Sequence, residues 1–317
     1  MSFNIAGTGS YLPSTVVTND DLSKIVDTSD EWITQRIGVK ERRISVDETA
    51  ADMAAKAAKE ALLSSGIKAA ELDYIIAATC SADDMCPTVA GMVQKAICAS
   101  CPAFDINSAC SGFLFALETA AAFFERGAQK ILVIGAERIS RITDWTDRST
   151  CVIFGDGAGA AVLTKGDGLL YSKLSTFGGN EVIGIPNRDT DCPFSEKRMK
   201  KPYIFMDGQE TFKFAVNSIT EGINAALSTL NLTADDISHF VLHQANMRII
   251  SYAAKRLHTD INKFFVNIQK YGNTSSASVP IALDELVRTK DIKSGDLLLL
   301  SAFGGGLSSA VSVIKWQ

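Results

Sequence analysis

The sequence predicts an α/β protein built from two similar halves. Short apolar segments alternate with Ala-rich or amphipathic helical segments along the chain, which is typical of buried sheets covered by helices. Each half also has a Ser- and Ala-rich turn that leads into a helix, followed further on by a Gly-rich segment predicted to be a hairpin. At 317 residues the chain is long enough to bury a substantial core, as one large domain or as two of about 150 residues.

In the first half, apolar segments bounded by turn residues are predicted to be strands, and longer periodic segments are predicted to be helices. The predicted strands are 3–6, 74–78, 103–106, 131–134 and 152–154, and the helices are 49–64 and 111–126. In the second half, the predicted helices are 209–230, 246–257 and 278–288, and the strands are 240–243, 264–266, 297–301 and 311–315. The polar segment 180–202 holds three prolines and is predicted to be a surface excursion or lid.

We divide the two halves at residue 168, into units 1–168 and 169–317. The predicted Gly-rich hairpins, 154–162 and 303–311, occupy corresponding places in the two units. A pseudo-twofold axis between the halves would place the loop of Cys110 opposite the loop of Asn273. The loop after strand 74–78 would correspond to the loop that carries His243.

Composition excludes several classes of function. Hydrophobic residues make up 46% and charged residues 21%, and the formal net charge of −5 argues against general nucleic-acid binding. We find no signal-peptide pattern and no apolar run near the roughly 18 residues that a membrane span needs. Seven cysteines, an odd number in a long chain, favour reduced thiols. We therefore expect a cytoplasmic protein with neither nucleic acid nor a membrane as partner.

Cys110 is the first candidate for a chemical role. It precedes a predicted helix, 111–126, that is apolar nearly all round and is therefore expected to be buried. A thiol at a helix N-terminus faces unpaired N–H groups and the positive end of the helix dipole, which favours the thiolate. The alternative is that Cys110 packs as a small apolar residue, as buried cysteines commonly do.

His243 and Asn273 are two further candidates. His243 ends a predicted strand just before a helix, where α/β proteins commonly place working groups, although a structural histidine is the alternative. Asn273 lies in a turn before a helix, where an asparagine is usually a backbone cap. Together with Cys110 they offer one nucleophile and two hydrogen-bond donors. This set suits attack on a thioester carbonyl followed by stabilisation of an enolate.

Two other motifs carry weaker signals. The glycine run 304–306 permits close backbone approach, so its N–H groups are candidates for an oxyanion hole together with that of Cys110; an ordinary hairpin turn is the alternative. Cys98 and Cys101 form a C-x-x-C motif, but a proline and a strand follow it, and no second pair completes a zinc site. We therefore predict no metal site.

Seven motifs together give the chain a resemblance to the β-ketoacyl-[acyl-carrier-protein] synthase III family, the initiating condensing enzymes of bacterial fatty-acid synthesis in the thiolase-like superfamily. The resemblance covers essentially the whole chain. It rests on GTGSYLP at 7–13, TSDEWI at 28–33, NSACSG at 107–112, FGDGAG at 154–159, HQAN at 243–246, YGNTS at 271–275 and FGGG at 303–306.

The resemblance implies a thiolase-like five-layered αβαβα fold, a homodimer and a two-step reaction with no metal or redox cofactor. Cys110 would take an acyl group from acyl-CoA. Malonyl-acyl carrier protein would then lose carbon dioxide, His243 and Asn273 would stabilise the enolate, and the carbanion would attack the acyl-cysteine. The backbone N–H groups of Cys110 and Gly305 are the implied oxyanion hole. Thiolases that degrade need a second cysteine in the C-terminal half and elongating synthases use two histidines, so the Cys-His-Asn set separates this chain from both.

The resemblance also implies residues that hold the two carriers. Those implied to contact CoA or the acyl substrate are Trp32, Arg36, Arg148, Gly208, Phe212, Asn246, Phe303 and Gly304. Stacking and charge would bind the CoA nucleotide at the first three. The basic residues Arg248, Lys255 and Arg256 fall on one helix face after His243 and would dock the acidic carrier protein. Ordinary solvated surface charge is the alternative for the arginines and for this basic stripe.

One departure from the family concerns the acyl pocket. Before Pro87, at a position where the partner subunit lines this pocket, well-known short-chain enzymes of the family carry phenylalanine, and this chain has Cys86. A smaller side chain leaves more room, so we expect tolerance of branched or longer acyl primers.

Two alternative functions are compatible with these motifs. One is a condensing or acyl-transfer enzyme of the same fold in a specialised pathway. The other is a catalytically silent acyl-CoA-binding or scaffold protein, which the joint presence of Cys110, His243 and Asn273 disfavours.

Overall fold

The computed structural model describes residues 2–186, 194 and 202–317. Cys192 and much of the predicted excursion 180–202 lie outside the described residues. The strands are β1 (Ser2–Tyr11), β2 (Thr15–Thr18), β3 (Glu41–Ile44), β4 (Tyr74–Ala78), β5 (Ala103–Ile106), β6 (Lys130–Arg138), β7 (Asp156–Gly166), β8 (Leu169–Thr176), β9 (Ile183–Gly184), β10 (Phe205–Met206), β11 (His239–Leu242), β12 (Leu297–Gly304) and β13 (Ser308–Lys315). The helices are α1 (Asn19–Ser23), α2 (Asp30–Arg36), α3 (Ala50–Ser65), α4 (Val89–Ala96), α5 (Gly112–Glu125), α6 (Arg148–Cys151), α7 (Gly208–Leu230), α8 (Met247–Arg256), α9 (Ile268–Tyr271) and α10 (Ser278–Thr289).

Two main sheets carry the fold. The first has the strand order β1-β7-β6-β4-β5, and the second has the order β8-β13-β12-β11. In both sheets the first three strands are antiparallel neighbours and the next pair is parallel. This shared pattern confirms the predicted duplication of two α/β halves, while the division at residue 168 stays a prediction.

The main helices form three layers around the two sheets. α3 and α4 cover the outer face of the first sheet, α5 and α10 lie between the sheets, and α7 and α8 cover the second sheet. The order helix, sheet, helix, sheet, helix is the predicted five-layered αβαβα architecture. Because α5 lies between the two sheets, most of its residues are buried or partly buried, and Phe113, Leu117 and Phe124 have no exposed surface. None of the described helices is long and apolar enough to cross a membrane.

Capping and small side chains determine how α3 packs on the first sheet. The Thr49 side chain accepts a hydrogen bond from the backbone N–H of Asp52, and the Asp52 carboxylate accepts one from the N–H of Thr49. Gly66 ends the helix in the left-handed conformation at φ 67°. A Cβ on Gly9 would lie 2.3 Å from the backbone N of Ala61, so the absence of a side chain at Gly9 lets helix and strand touch.

The prediction of a Gly-rich hairpin at 154–162 is wrong. Most of the segment belongs to β7, which pairs with β1 on one side and with β6 on the other. The glycines are needed because α10 presses on this strand: a Cβ on Gly159 would lie 2.6 Å from the backbone N of Ile281. Close packing against a helix, rather than a turn, explains this part of the sequence.

Two predicted strands are reduced to single bridges. Segment 152–154 follows α6, and within it only Phe154 forms a bridge, to Asn273. In segment 264–266 only Phe264 forms a bridge, parallel to Phe240 of β11. The second bridge occupies the edge position that β5 fills in the first sheet, so the two halves differ in the length of this edge strand.

Candidate active site

One cavity of about 170 Å³ brings the three chemical candidates together. Cys110, His243 and Asn273 all line it, although they come from the separate loops after β5, β11 and α9. Five other residues predicted to contact CoA or the substrate line the same space: Gly208, Phe212, Asn246, Phe303 and Gly304. Apolar side chains, among them Ile153, Ile183, Ile204, Met206 and Ile249, form most of the remaining wall. A thiol, an imidazole and a carboxamide therefore share one largely apolar space.

Cys110 lies at the junction between β5 and α5, where the two halves of the chain meet. It belongs to a 3-10 turn, Ala109–Ser111, that continues into α5 at Gly112. Ala109 has a φ of 45°, a strained conformation for a residue with a Cβ. From the second half, Gly304 approaches so closely that a Cβ there would lie 2.7 Å from the backbone N of Cys110. The thiol is thus fixed from both sides.

The Cys110 thiol is protonated in the resting protein at neutral pH. Burial raises its pKa to about 12, because an apolar site disfavours the thiolate. A hydrogen bond with Ser275 opposes this rise, and the negative charge of Glu137 adds to it. Desolvation therefore opposes the thiolate that the helix N-terminus is expected to favour, and it outweighs the hydrogen bond with Ser275.

His243 follows β11 directly and is 1% exposed. Its Nδ1 lies 2.5 Å from Ser278 Oγ, and the backbone N–H of Gln244 donates to the same oxygen at 3.4 Å. We assign the Ser278 proton to the bond with Nδ1, which places the ring hydrogen of His243 on Nε2. Burial lowers the pKa of His243 to about 3, so the ring is a neutral donor at neutral pH.

Asn273 follows a glycine whose backbone permits a tight turn. Gly272 has a φ of 64°, and a Cβ there would lie 2.6 Å from the carbonyl oxygen of Ile153. The backbone N–H of Asn273 donates to Ile153 O at 2.9 Å, and its carbonyl oxygen accepts from the N–H of Gly155 at 3.0 Å. Its side-chain Oδ1 accepts from the N–H of Ser275 at 2.8 Å, so the carboxamide presents Nδ2 as a donor. Two neutral donors beside a thiol suit the stabilisation of charge that develops on a substrate oxygen.

Trp32, Arg36 and Arg148 form a separate cluster on the surface. The guanidinium carbon of Arg36 lies 5.8 Å from the centre of the Trp32 ring, and that of Arg148 lies 5.1 Å from it. The cluster does not line the cavity, but it adjoins the cavity through Ser149, which does, and through Asn246, whose Nδ2 donates to the carbonyl oxygen of Arg36 at 3.2 Å.

The three basic residues of α8 are exposed. Arg248 lies over the ring of Phe212, 5.5 Å from its centre, and Arg256 lies over the ring of Tyr252 at the same distance. Arg248 and Lys255 also line a shallow groove against α2. Because Phe212 lines the cavity, the basic face of α8 begins at the edge of the cavity.

Two family models match the chain. The model described as 3-oxoacyl-[acyl-carrier-protein (ACP)] synthase III matches residues 104–178, and the model of the C-terminal part of the same family matches residues 227–316. The β-ketoacyl-[acyl-carrier-protein] synthase III of Clostridium acetobutylicum is 48% identical over 99% of both chains. The chain belongs to the β-ketoacyl-[acyl-carrier-protein] synthase III family. It is an acyltransferase-type condensing enzyme whose function is the initiation of fatty-acid synthesis.

Two solved structures show the same architecture. The 3-oxoacyl-[acyl-carrier-protein] synthase III of Aquifex aeolicus is 46% identical and superimposes with a TM-score of 0.92, covering 99% of this chain and 100% of its own. The priming β-ketosynthase of the R1128 polyketide biosynthetic pathway is 34% identical and has a TM-score of 0.93, with coverage of 99% and 96%. The predicted thiolase-like fold is therefore confirmed.

Gly305, which the resemblance implies for the oxyanion hole, and Cys86, which it implies for the acyl pocket, do not line the cavity either. Gly305 lies beyond its edge, where a Cβ would approach the side chains of Ile183 and Ala109. Cys86 is exposed on the loop after β4. Their roles as an oxyanion donor and as an acyl-pocket residue stay predictions.

Several polar residues that hold the site together were not predicted from the sequence. Ser278 Oγ lies against the histidine ring, the N–H of Ser275 donates to Asn273 Oδ1, and the fully buried Glu137 accepts from Ser275 Oγ. The glutamate near the end of the apolar strand β6 could have indicated a buried hydrogen-bond network, because a buried charge needs specific partners. Within the described residues no cluster of His, Cys, Asp or Glu could hold a metal ion, and the six described cysteines are all free.

Proposed function

We propose that the cavity catalyses a decarboxylative Claisen condensation of an acyl-CoA primer with malonyl-acyl carrier protein. The products are 3-oxoacyl-acyl carrier protein, CoA and carbon dioxide. The observation that carries this proposal is the convergence of Cys110, His243 and Asn273 in one apolar-walled cavity. No metal ion or redox cofactor takes part in the proposed steps.

In the first step the Cys110 sulfur attacks the thioester carbonyl of acyl-CoA. The bond to the cysteine sulfur forms and the bond to the CoA sulfur breaks, while one proton leaves Cys110 and one reaches the CoA thiolate. The backbone N–H groups of Cys110 and Gly305 are the proposed donors to the oxyanion. Because burial raises the pKa of the free thiol to about 12, this proton is still on the sulfur when acyl-CoA arrives.

In the second step the bond to the malonyl carboxylate breaks and its electron pair forms an enolate. Nε2–H of His243 and Nδ2–H of Asn273 donate to the enolate oxygen, which they can do because both groups are neutral. The carbanion then attacks the acyl carbonyl on Cys110. The bond between the acyl carbon and the Cys110 sulfur breaks, and the sulfur takes up a proton from solvent.

The surroundings of the cavity suggest where the carriers bind. The Trp32 cluster offers a flat ring and two guanidinium groups to the adenine and phosphates of CoA. From there the pantetheine arm would pass Gly208, Phe212 and Asn246 to reach Phe303, Gly304 and the thiol. A homodimer in the cytoplasm, in which Cys86 of each subunit borders the acyl pocket of the other, completes the proposal.

Mass spectrometry after incubation with a panel of acyl-CoA thioesters tests this function. We expect one acyl group per chain, on Cys110 alone, with C4 to C8 and branched primers accepted because Cys86 is small. Cys110→Ser should carry no acyl group, whereas Cys98→Ser, which removes an exposed thiol, should behave as the unmodified chain does. Acylation of any other cysteine would overturn the site assignment, and a strong preference for acetyl-CoA would contradict the proposed pocket.

Charge reversal on α8 tests the proposed carrier-protein surface. Lys255→Glu is expected to raise the KM for malonyl-acyl carrier protein about 3- to 10-fold, because it places like charges opposite each other. Acylation by acyl-CoA should not change. Lys59→Glu, on α3 in the opposite outer layer, is the matched control and should affect neither step. Equal effects of both substitutions would show that net charge matters rather than this surface.

The 34% identity to a polyketide priming β-ketosynthase raises the question whether the enzyme also serves a specialised pathway. The full-length identity of 48% to a β-ketoacyl-[acyl-carrier-protein] synthase III supports the role in fatty-acid initiation. Competition between carrier proteins of the two pathways in one condensation assay distinguishes them.

A further inference from the structure

Glu137 at the end of β6 is a fully buried carboxylate that the proposed reaction does not use. Its two oxygens accept hydrogen bonds from donors in two separate loops. These donors are Thr79 Oγ1, Cys80 N and Sγ, Ser81 Oγ, Ser275 Oγ, and Ser276 N and Oγ. A buried carboxylate with this many donors is strongly fixed in position.

The two loops belong to different halves of the chain. Residues 79–81 follow β4 in the first half, and Ser275 and Ser276 follow Asn273 in the second. Ser275 Oγ lies 3.0 Å from Glu137 Oε1, and Ser276 Oγ lies 2.7 Å from it. Gly135, on the same strand, lets the second loop come close, because a Cβ there would lie 2.4 Å from the carbonyl oxygen of Ser276. Glu137 therefore joins the two halves next to the turn that carries Asn273, a residue of the cavity wall.

Ser275 connects Glu137 to two residues of the cavity. Its hydroxyl has a single proton, and when it donates this proton to Glu137 its oxygen can accept from a neighbouring thiol. Cys80 Sγ lies 3.6 Å from this oxygen, and a hydrogen bond with Ser275 also acts on the Cys110 thiol. The backbone N–H of Ser275 donates to Asn273 Oδ1 at 2.8 Å, which leaves Nδ2 as the free donor of the Asn273 carboxamide. Ser275 has a φ of 50°, so the turn depends on contacts of this kind to hold a strained conformation.

We propose that Glu137 is a positioning residue of the condensation, which acts through Ser275 to hold the Cys110 thiol and the Asn273 carboxamide in their reactive arrangement. This inference rests on the proposed roles of Cys110 and Asn273. Glu137 touches neither the substrate nor the reacting atoms. Its effect on the thiol is also electrostatic, since it attracts the Ser275 proton and places a negative charge behind the sulfur. The titratable groups around the thiol are Glu137, Cys80 and, across the cavity, His243.

Glu137→Gln tests the proposal with two readouts that should move in opposite directions. Condensation is expected to slow about 10- to 100-fold in kcat, because the Ser275 turn loses its anchor, while the KM for acyl-CoA stays within about twofold. Alkylation of Cys110 by iodoacetamide at pH 8, in the absence of substrate, is expected to become about tenfold faster, because removing the charge lowers the thiol pKa. A loss of packing without a change in charge would not shift the pH profile of Cys110 alkylation toward lower pH.

Ser275→Ala keeps the proposal testable if the Gln variant folds poorly, since it removes one hydroxyl and leaves the carboxylate with its other donors. It should also slow condensation about 10- to 100-fold. Asp284→Asn is the matched control. Asp284 is a buried carboxylate hydrogen-bonded to Thr8, Ser10 and Arg288, and it does not line the cavity. In this variant the pH profile of Cys110 alkylation should be unchanged.

Three outcomes would overturn the role of Glu137. These are condensation by Ser275→Ala within threefold of the unmodified chain, a Glu137→Gln variant with unchanged kcat, and slowed condensation with the same alkylation profile as Asp284→Asn. Each is distinct from failure of the proposed function, in which the unmodified chain itself would neither acylate Cys110 nor condense.

Discussion

Replacing His243 or Asn273 with alanine is expected to lower the rate of condensation about 10²- to 10³-fold while Cys110 still accepts an acyl group. The two side chains supply the neutral donors to the enolate oxygen, so their loss affects the step in which that charge develops. Transfer from acyl-CoA depends instead on Cys110 and on backbone N–H groups, which both variants retain. Mass spectrometry of the acyl-enzyme measures the first step, and release of carbon dioxide from malonyl-acyl carrier protein measures the second.

The control for this experiment is His258→Asn, which replaces an exposed histidine outside the cavity with a residue that tolerates its left-handed backbone at φ 51°. It should condense at the unmodified rate.

The pH profile of condensation by the unmodified chain should show no inflection from His243 between pH 5 and 8. Burial lowers the pKa of the His243 ring to about 3, so the ring gains a proton only in acid well below pH 5. Equal loss of acyl transfer and condensation would contradict the assignment of both residues to the enolate step.

The alkylation rate of Cys110 in the substrate-free protein is expected to rise about tenfold per pH unit from pH 7 to pH 10, without a plateau. The thiolate is the reactive form, and a pKa of about 12 leaves only about one thiol in 10⁴ ionised at pH 8. Iodoacetamide labelling followed by mass spectrometry of the Cys110 peptide gives the profile.

Cys110→Ser measures the background from the remaining cysteines in this labelling experiment. A plateau below pH 9 would show that the thiol is ionised more easily than its burial implies. It would restore the interpretation in which the N-terminus of α5 activates a resting thiolate. The two interpretations differ by orders of magnitude in rate at pH 7, so the measurement decides between them.

Much of the fold could be predicted because its strands are short apolar segments between turn residues. The bounds predicted for 74–78 and 103–106 are those of β4 and β5, and the main helices differ by one or two residues at their ends. β7 could not be recognised, because its alternating glycines resemble a turn unless the contact with α10 is known. That contact joins residues more than 100 positions apart, which no local pattern contains.

The members of the site could be predicted better than its chemical state. Cys110, His243 and Asn273 belong to motifs of the resemblance, and their convergence follows from the duplicated architecture. The protonation of Cys110 depends on burial by residues from both halves and on Glu137, so it could not be read from the helix that follows it. Glu137 itself was visible only as a charge at the end of an apolar strand.

The central layer has a consequence for how the chain is made. α5 and α10 are each covered by both sheets, so the first half alone would leave one side of α5 facing water. During synthesis this surface emerges well before β12 and β13, which complete its cover. Until then it is an exposed apolar surface that is prone to aggregation. Neither half is therefore expected to be a self-sufficient folding unit, and the nucleophile becomes seated only when the last strands of the chain have joined.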